Sequence, residues 1–545
     1  MAFPSFIAVT TTGQPDNRPG ASLRYAKSGR EEFRQRRVCD LEDHPKSQQS
    51  KRMERHGIIS GKGLLPYLGL TLGIGAVALA VIRVGYMAGA ALGCLPILLY
   101  IILFAIKKPY WAYTWLFIAN YFVLGLTRYI PGLPAGIVMD CLIMFNLFTL
   151  LIRSCYKHVG WERARNGLTV ASLVWLTYCF LELFNPQTVS ATAWVALIRG
   201  YALYFVAIAI LTPIIFYRYK DLKRILFIWS VLTLLAVLKS WIQRNIGFDQ
   251  AEQYWLFVER GHTTHIIRTG VRYFSFFSDA ANFGSSMGLS MVVFGIASLY
   301  YKNRWIRLYY IAVAAAACYG MMISGTRSAL AVPFAGFTLF IILSKQIKMI
   351  AAGAIMLAGV FIFLNYTHIG HSNALIRRAR SAFDLNDASF QVRLKNQELM
   401  RAYMKDKPFG VGIGLGGGKA KTYAPNAYLS QIPTDSWFVM IWVETGIVGL
   451  IVHLGVLFYI LGYGCYQVMF RLRDKQLRGL TAGLTAGVFG IAVCSYSNEI
   501  FGQFPTGIIM YMSQAFIFLA PRFDRELAEA REKRIEHEHE YLDEA

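Results

Sequence analysis

Four charged residues stand inside otherwise apolar sequence, and their types suit the handling of an anion. Arg327 lies in "MMISGTRSALAVPF", between "LYYIAVAAAACYGMMI" and "ALAVPFAGFTLFIIL". A charge at such a place is costly unless it meets water, an acid or an anionic ligand. Arg199, in "WVALIRGYALYF", and Arg272, in "RTGVRYFSFFSDAANFG", sit in comparable surroundings. Asp435 opens the apolar stretch "PTDSWFVMIWVETGIVGL". Arginine presents a planar fork of donors that matches phosphate oxygens two at a time. A carboxylate beside a hydroxyl can accept or orient its proton. Three cations and one carboxylate therefore make a candidate site for an anionic, phosphate-bearing ligand. Each residue also has a plainer explanation. Arg272 can snorkel to headgroups, Arg199 can be paired within its span, and Asp435 can cap the helix that follows it.

The elements that would carry these residues are membrane spans. The chain has 545 residues, 55% of them hydrophobic and only 16% charged. Apolar stretches of roughly 17 to 25 residues, the length that spans a bilayer as a helix, recur along most of it. The expected fold is an all-α polytopic membrane protein of about 12–14 transmembrane helices with one large extracytoplasmic loop. Fourteen segments are predicted, centred on 64–82, 84–106, 109–127, 134–152, 168–184, 191–216 and 222–241, then 279–300, 306–324, 328–343, 347–365, 445–470, 479–496 and 503–520. The five predicted regions are a basic, disordered N-terminal segment (1–63), spans with an outer loop near 243–278 (64–365), the large loop (366–435), the last spans (436–520) and a charged tail (521–545). Nothing at the N-terminus reads as a cleaved signal.

Basic loops set the orientation. With residues 1–63 in the cytoplasm and the spans alternating, the inner loops become "KK", "RSCYKHVGWERAR", "YRYKDLKR", "YKNRWIR", "SKQIK" and "RLRDKQLR", all of them basic. Both termini are then cytoplasmic. The net charge of +23 follows from this arrangement and from contact with anionic membrane lipids, so nucleic acid is not invoked. The large loop holds ten basic residues against five acids, Asp384, Asp387, Glu398, Asp406 and Asp435. Its Arg377, Arg378 and Arg380, with Arg199, are candidates to steer an anionic substrate near the outer surface. Tyr403 and Tyr423 are candidates for sugar stacking or for packing the loop.

Other patterns carry less. Eight cysteines are scattered singly, which argues against disulfides and thiolate metal sites. "GIGLGGG" follows no predicted strand, so it reads as flexible turn chemistry rather than a dinucleotide fingerprint. "GHTTH" places His262 and His265 at a spacing a metal can use, but no third ligand stands out.

In order along the chain, "VRYFSFFSDAANFGSSMG", "ISGTRSALAVPFAGF", "KDKPFGVGIGLGGG" and "TDSWFVMIWVETGIVGL" resemble the motifs of the O-antigen ligase and polymerase superfamily. The resemblance covers roughly residues 265–450. It implies a GT-C-like, metal-independent, inverting glycosyltransferase without cofactor, acting on a polyprenyl-diphosphate-linked glycan at the outer face of the bacterial inner membrane. It also implies a flippase and a chain-length regulator as pathway partners. Arg272 and Arg327 occupy the positions of the family arginines that hold the diphosphate. The ligase branch typically has a histidine where this chain has Asp435, which favours a polymerase of O-antigen or exopolysaccharide repeat units. Transfer of glycan to lipid A-core by a ligase is the nearer alternative. A small-anion transporter of the same superfamily and a non-catalytic scaffold are the further ones.

Overall fold

The computed structural model describes residues 61–84, 86–259, 261–267, 270–345, 347–370, 372–380 and 388–543. All but the last three residues of the predicted N-terminal segment, and Asp384 and Asp387 of the large loop, lie outside them. The chain divides into two compact units, residues 1–100 and 101–545. The described part of the first holds α1 (Gly61–Val84) and most of α2 (Tyr86–Lys107), whose leucines and isoleucines, among them Leu72, Ile74 and Leu95, are exposed.

The second unit begins with α3 (Pro109–Leu126), α4 (Ala135–Ser154) and α5 (Gly167–Leu181). Then α6 (Ala191–Ile198) runs through a π-turn, Arg199–Leu203, into α7 (Tyr204–Ile215). Next come α8 (Tyr219–Asn245) and the short α9 (Gln250–Phe257). A two-residue hairpin, β1 (Ile266–Ile267) against β2 (Gly270–Val271), leads to α10 (Ala280–Tyr300) and α11 (Arg304–Ile323). A 3₁₀ turn, Arg327–Leu330, opens α12 (Ala331–Leu343), and α13 (Ile347–Tyr366) follows. The large loop contributes α14 (Ala374–Arg380) and α15 (Ala388–Met404). The last spans are α16 (Trp437–Tyr466), α17 (Lys475–Cys494) and α18 (Thr506–Asp543). This is an all-α polytopic membrane protein. Among the described residues, eight helices are long and apolar enough to cross a bilayer by length and composition, and Arg327–Leu343 and Ile350–Tyr366 are shorter apolar helices. The charged tail is no separate element, because α18 runs on unbroken past Pro521.

α10 and α17 form the centre, 78% and 83% buried over their apolar windows. Small residues let α12 approach them closely, as lipid-embedded helix packing requires. A methyl group at Gly490 would come within 2.5 Å of the Val332 carbonyl oxygen.

α16 is broken one-third of the way along. Gly446 has φ 70° and ψ −174°, a conformation essentially closed to residues with a side chain. The break frees carbonyls for the large loop. Val411 N donates to Val443 O at 3.0 Å, Gly412 N to Glu444 O at 2.9 Å, and Val448 N to Pro408 O at 3.3 Å. The glycine-rich segment thus lies against the gap in the helix like an added strand. A Gly446→Ala side chain would sit 1.9 Å from the Pro408 oxygen, besides incurring about 1–3 kcal/mol of backbone strain. Thermal melting in detergent should show Gly446→Ala destabilised by at least about 3 kcal/mol, while Gly455→Ala, in the same helix with open space around it, should be neutral or slightly stabilising.

Candidate functional site

The loop before α10 is anchored by charged groups on the neighbouring helices. Lys239 of α8 contacts Asp249 at 2.9 Å and Glu252 at 3.0 Å, and Gln243 donates to Glu252 at 2.7 Å. Asp249 and Glu252 also cap the start of α9 reciprocally. Arg128, between α3 and α4, is buried and donates to the carbonyls of Ser275 (3.1 Å), Phe277 and Ser278 (3.3 Å). Its guanidinium lies 4.5 Å from the Trp255 ring and 4.3 Å from that of Phe274. Arg128 thereby fixes the segment from which Arg272 and α10 emerge.

His265 completes the anchoring. Its Nε2 accepts from Ala280 N at 3.1 Å, while Nδ1 faces Gly261 O at 3.0 Å. The ring is therefore neutral with the proton on Nδ1. His262 Nδ1 meets Leu256 O at 2.9 Å. Both histidines are engaged on the loop's own backbone, and among the described residues no group of three ligating side chains could hold a metal.

On this platform the arginines gather around the turn at Gly325–Ser328. Arg272 donates to Thr326 Oγ1 at 2.8 Å and to Thr264 O at 3.1 Å. Thr326 Oγ1 in turn donates to Ala280 O at 2.9 Å. Arg378 of α14 donates through Nε to Gly325 O. At Gly325 there is no room for a side chain between Arg378 Nε, 3.1 Å from where a Cβ would be, and Arg272 Cγ at 3.4 Å. Arg327, Arg378 and Thr326 line one narrow crevice of about 10 Å³ beside Met321, Met322 and Leu330. Burial, and then the positive charges of Arg327 and Arg393, depress the pKa of Arg272, with Asp279 opposing them. Guanidiniums crowded in this way are stabilised by a bound anion.

A carboxylate-lined cleft opens next to the cations. It has a volume of about 380 Å³, and its lining includes Asp279, Asp435, Glu499, Asn498 and Gln503. Two bridges join it to the arginine turn: Asn498 Nδ2 donates to Ser328 Oγ, and Arg393 Nε lies 4.0 Å from Asp435 Oδ2. Asp435 has φ 49°, in the left-handed region that aspartate tolerates better than most residues. It does not cap α16; Ser436 does, accepting from Val439 N. The side chain of Asp435 is 44% exposed, so it is open to a ligand in the cleft.

The other sequence candidates are placed differently. Arg199, on the π-turn, forms an ion pair with Asp140 at 2.7 Å, and Tyr204 donates to the same carboxylate at 2.6 Å. Arg380 turns back to Thr367 and to Ile369 O at 2.7 Å, and Arg377 lies exposed on the same short helix. Tyr403 stacks on Tyr428 at 5.1 Å under Lys407, and Tyr423 packs into the loop's small apolar core, so both pack the loop. The glycine-rich segment is buried and held, not flexible: Glu444 accepts from Gly414 N (2.8 Å), Gly416 N (3.2 Å) and the Tyr201 hydroxyl. Sequence reasoning gave no role to Glu444, although an acid inside an apolar stretch is itself a signal. Glu499, Asp279 and Arg393 were not singled out either.

This geometry meets two comparisons. The family model described as O-antigen ligase matches residues 311–454, from α11 through the arginine turn and large loop to α16. Over that segment this polytopic membrane protein is similar to the O-antigen ligase and polymerase family. A curated O-antigen polymerase of Salmonella muenchen is 24% identical over 352 residues, which is 60% of this chain and 81% of that protein. The family match contains Arg327, Arg378, Arg393, Asp435 and Glu444, whereas Arg272 and its anchors precede it.

The His265 contact has a pH signature. Burial holds its imidazole at about 4, below the ordinary 6.5. The stability it lends is whole above about pH 6.5 and is lost as pH falls toward about 4, because the unfolded loop takes up the proton first. The protection of amides around Ala280 against hydrogen exchange, taken relative to the intrinsic rate at each pH, should fall across that interval in the wild type and stay constant in His265→Gln.

Proposed function

We propose that the protein is a glycosyltransferase that polymerises polyprenyl-diphosphate-linked oligosaccharide repeat units, of O-antigen or exopolysaccharide type. The observation that carries this reading is the meeting, at one turn, of the Arg272–Arg327–Arg378 cluster with the open cleft containing Asp435. The guanidiniums suit a diphosphate, and the cleft suits a hydroxyl-rich acceptor.

In this mechanism the donor's diphosphate lies on Arg272 and Arg327. An acceptor sugar hydroxyl attacks the anomeric carbon from the side opposite the diphosphate and inverts that centre. The C–O bond to the diphosphate breaks, and the growing negative charge is met by fixed cations that need no rearrangement. Asp435 takes the hydroxyl proton. No metal or cofactor is required by this scheme. The cleft faces the periplasm of a bacterial inner membrane, with both termini in the cytoplasm; the basic loops at the opposite end support that orientation. Flippase and chain-length regulator act as partners. Polymerisation is preferred to ligation because Asp435 stands where ligases typically carry histidine, and because the similar Salmonella muenchen protein is named a polymerase.

Complementation of a deletion strain tests the reading. Arg327→Ala and Asp435→Ala should each abolish long polysaccharide while protein levels in the membrane stay normal, leaving single repeat units on the acceptor. Wild-type chain lengths in either variant reject the site. Long chains retained on the polyprenyl carrier identify a ligase instead.

A further inference from the structure

A second charged cavity lies at the other end of the bundle. α3 begins at it, with Pro109 and Tyr110, and ends near Arg128 on the side of the arginine cluster. The cavity has a volume of about 360 Å³, at the lower end of the range of small-molecule sites. Its walls carry Lys107, Lys108, Arg153, His158 and Arg163, and no carboxylate. Its apolar floor comes from Leu150, Val159, Ile214 and Ile215.

The cations here are crowded beyond what the protein itself balances. Three guanidiniums surround one phenol ring, with Arg163, Arg218 and Arg522 at 3.9, 5.2 and 5.4 Å from the centre of Tyr217. Arg163 Nε is buried without a hydrogen bond, and the carboxylate facing it, exposed Glu162, is 4.0 Å away. Glu162 is also 3.9 Å from His158. The other nearby acids are held by backbone donors: Asp221 accepts from Arg218 N at 3.1 Å, and Glu526 from Tyr219 N at 2.9 Å. Trp111, 48% exposed at the rim, is the residue type that settles at a membrane–water boundary.

Cationic walls over an apolar floor, at the end of membrane-spanning helices, suit an anion that carries its own hydrocarbon. We propose that this cavity binds the phosphodiester headgroup of an anionic membrane phospholipid. Lys107, Lys108 and Arg163 meet the phosphate oxygens, and the glycerol and first methylenes lie on Ile214 and Ile215. The site is independent of the glycosyl-transfer reading and would stand if that reading failed.

Native mass spectrometry of the full chain in detergent tests the proposal, with dioleoyl phosphatidylglycerol, dioleoyl phosphatidylcholine and inorganic phosphate as separate probes. The phosphatidylglycerol adduct should form at far lower concentration than the phosphatidylcholine adduct, and added salt should weaken it. In Lys107→Gln/Lys108→Gln/Arg163→Gln its affinity should fall on the order of a hundredfold, at about fivefold per charge. Equal binding of the two lipids by the wild type overturns the proposal, whether or not the triple variant folds. So does an unchanged affinity in a folded triple variant. Inorganic phosphate binding as tightly as the lipid identifies a free-anion site and also overturns it.

Discussion

A carboxylate buried among membrane-spanning helices holds the large loop against α16. Glu444 lies inside α16, where an unpartnered ionised group would cost several kcal/mol. Its oxygens accept from two glycine amides of the large loop and from the Tyr201 hydroxyl of the neighbouring π-turn. Only a loop without side chains can bring its backbone so near. Gly410, Gly412, Gly414 and Gly417 all have positive φ, and the break at Gly446 supplies the carbonyls that the loop amides require. One interaction therefore explains three features together: the acid in the apolar run, the glycines before it and the glycine after it.

The charges of the candidate site divide by the work they can do. Guanidiniums cluster where Arg272, Thr326 and Ala280 are linked in one hydrogen-bonded chain. Carboxylates line the wider cleft on the far side of Ser328 and Asn498. Arg128 touches neither region directly, and His265 meets the first only through the backbone amides of Arg272 and Ala280, yet both fix the backbone from which Arg272 and α10 start. A rigid platform matters because cations that stay in place at the transition state are more effective than ones that must be gathered.

Much of this was legible in the sequence, and what was not has physical reasons. Hydropathy placed the spans because a bilayer demands long apolar helices, and each predicted segment overlaps a helix. The same averaging concealed the interruption at Gly446, since a one-residue break leaves the window apolar. Arg272 and Arg327 could be singled out because isolated charges in apolar sequence are expensive. Arg377, Arg378 and Arg380 could not be ranked. They lie within one short helix, where each residue is turned about 100° from the next, so only Arg378 reaches Gly325 while Arg380 folds back onto Thr367 and Ile369. Arg199 looked like a substrate contact because its partner, Asp140, is 59 residues away and no local pattern announces the pair. Glu499 and Asp279 reach the cleft through tertiary packing of helix ends that sequence spacing does not encode.

The central claim is that a lipid-borne diphosphate is gripped at the Gly325–Ser328 turn. An electron cryomicroscopy structure of the full chain with a polyprenyl diphosphate bound tests it most directly. The account expects both phosphates within hydrogen-bonding distance of Arg272 and Arg327, with the hydrocarbon passing into the bilayer and the cleft of Asp435 left open for an acceptor. Diphosphate density settled elsewhere, with those two guanidiniums out of reach, would contradict it.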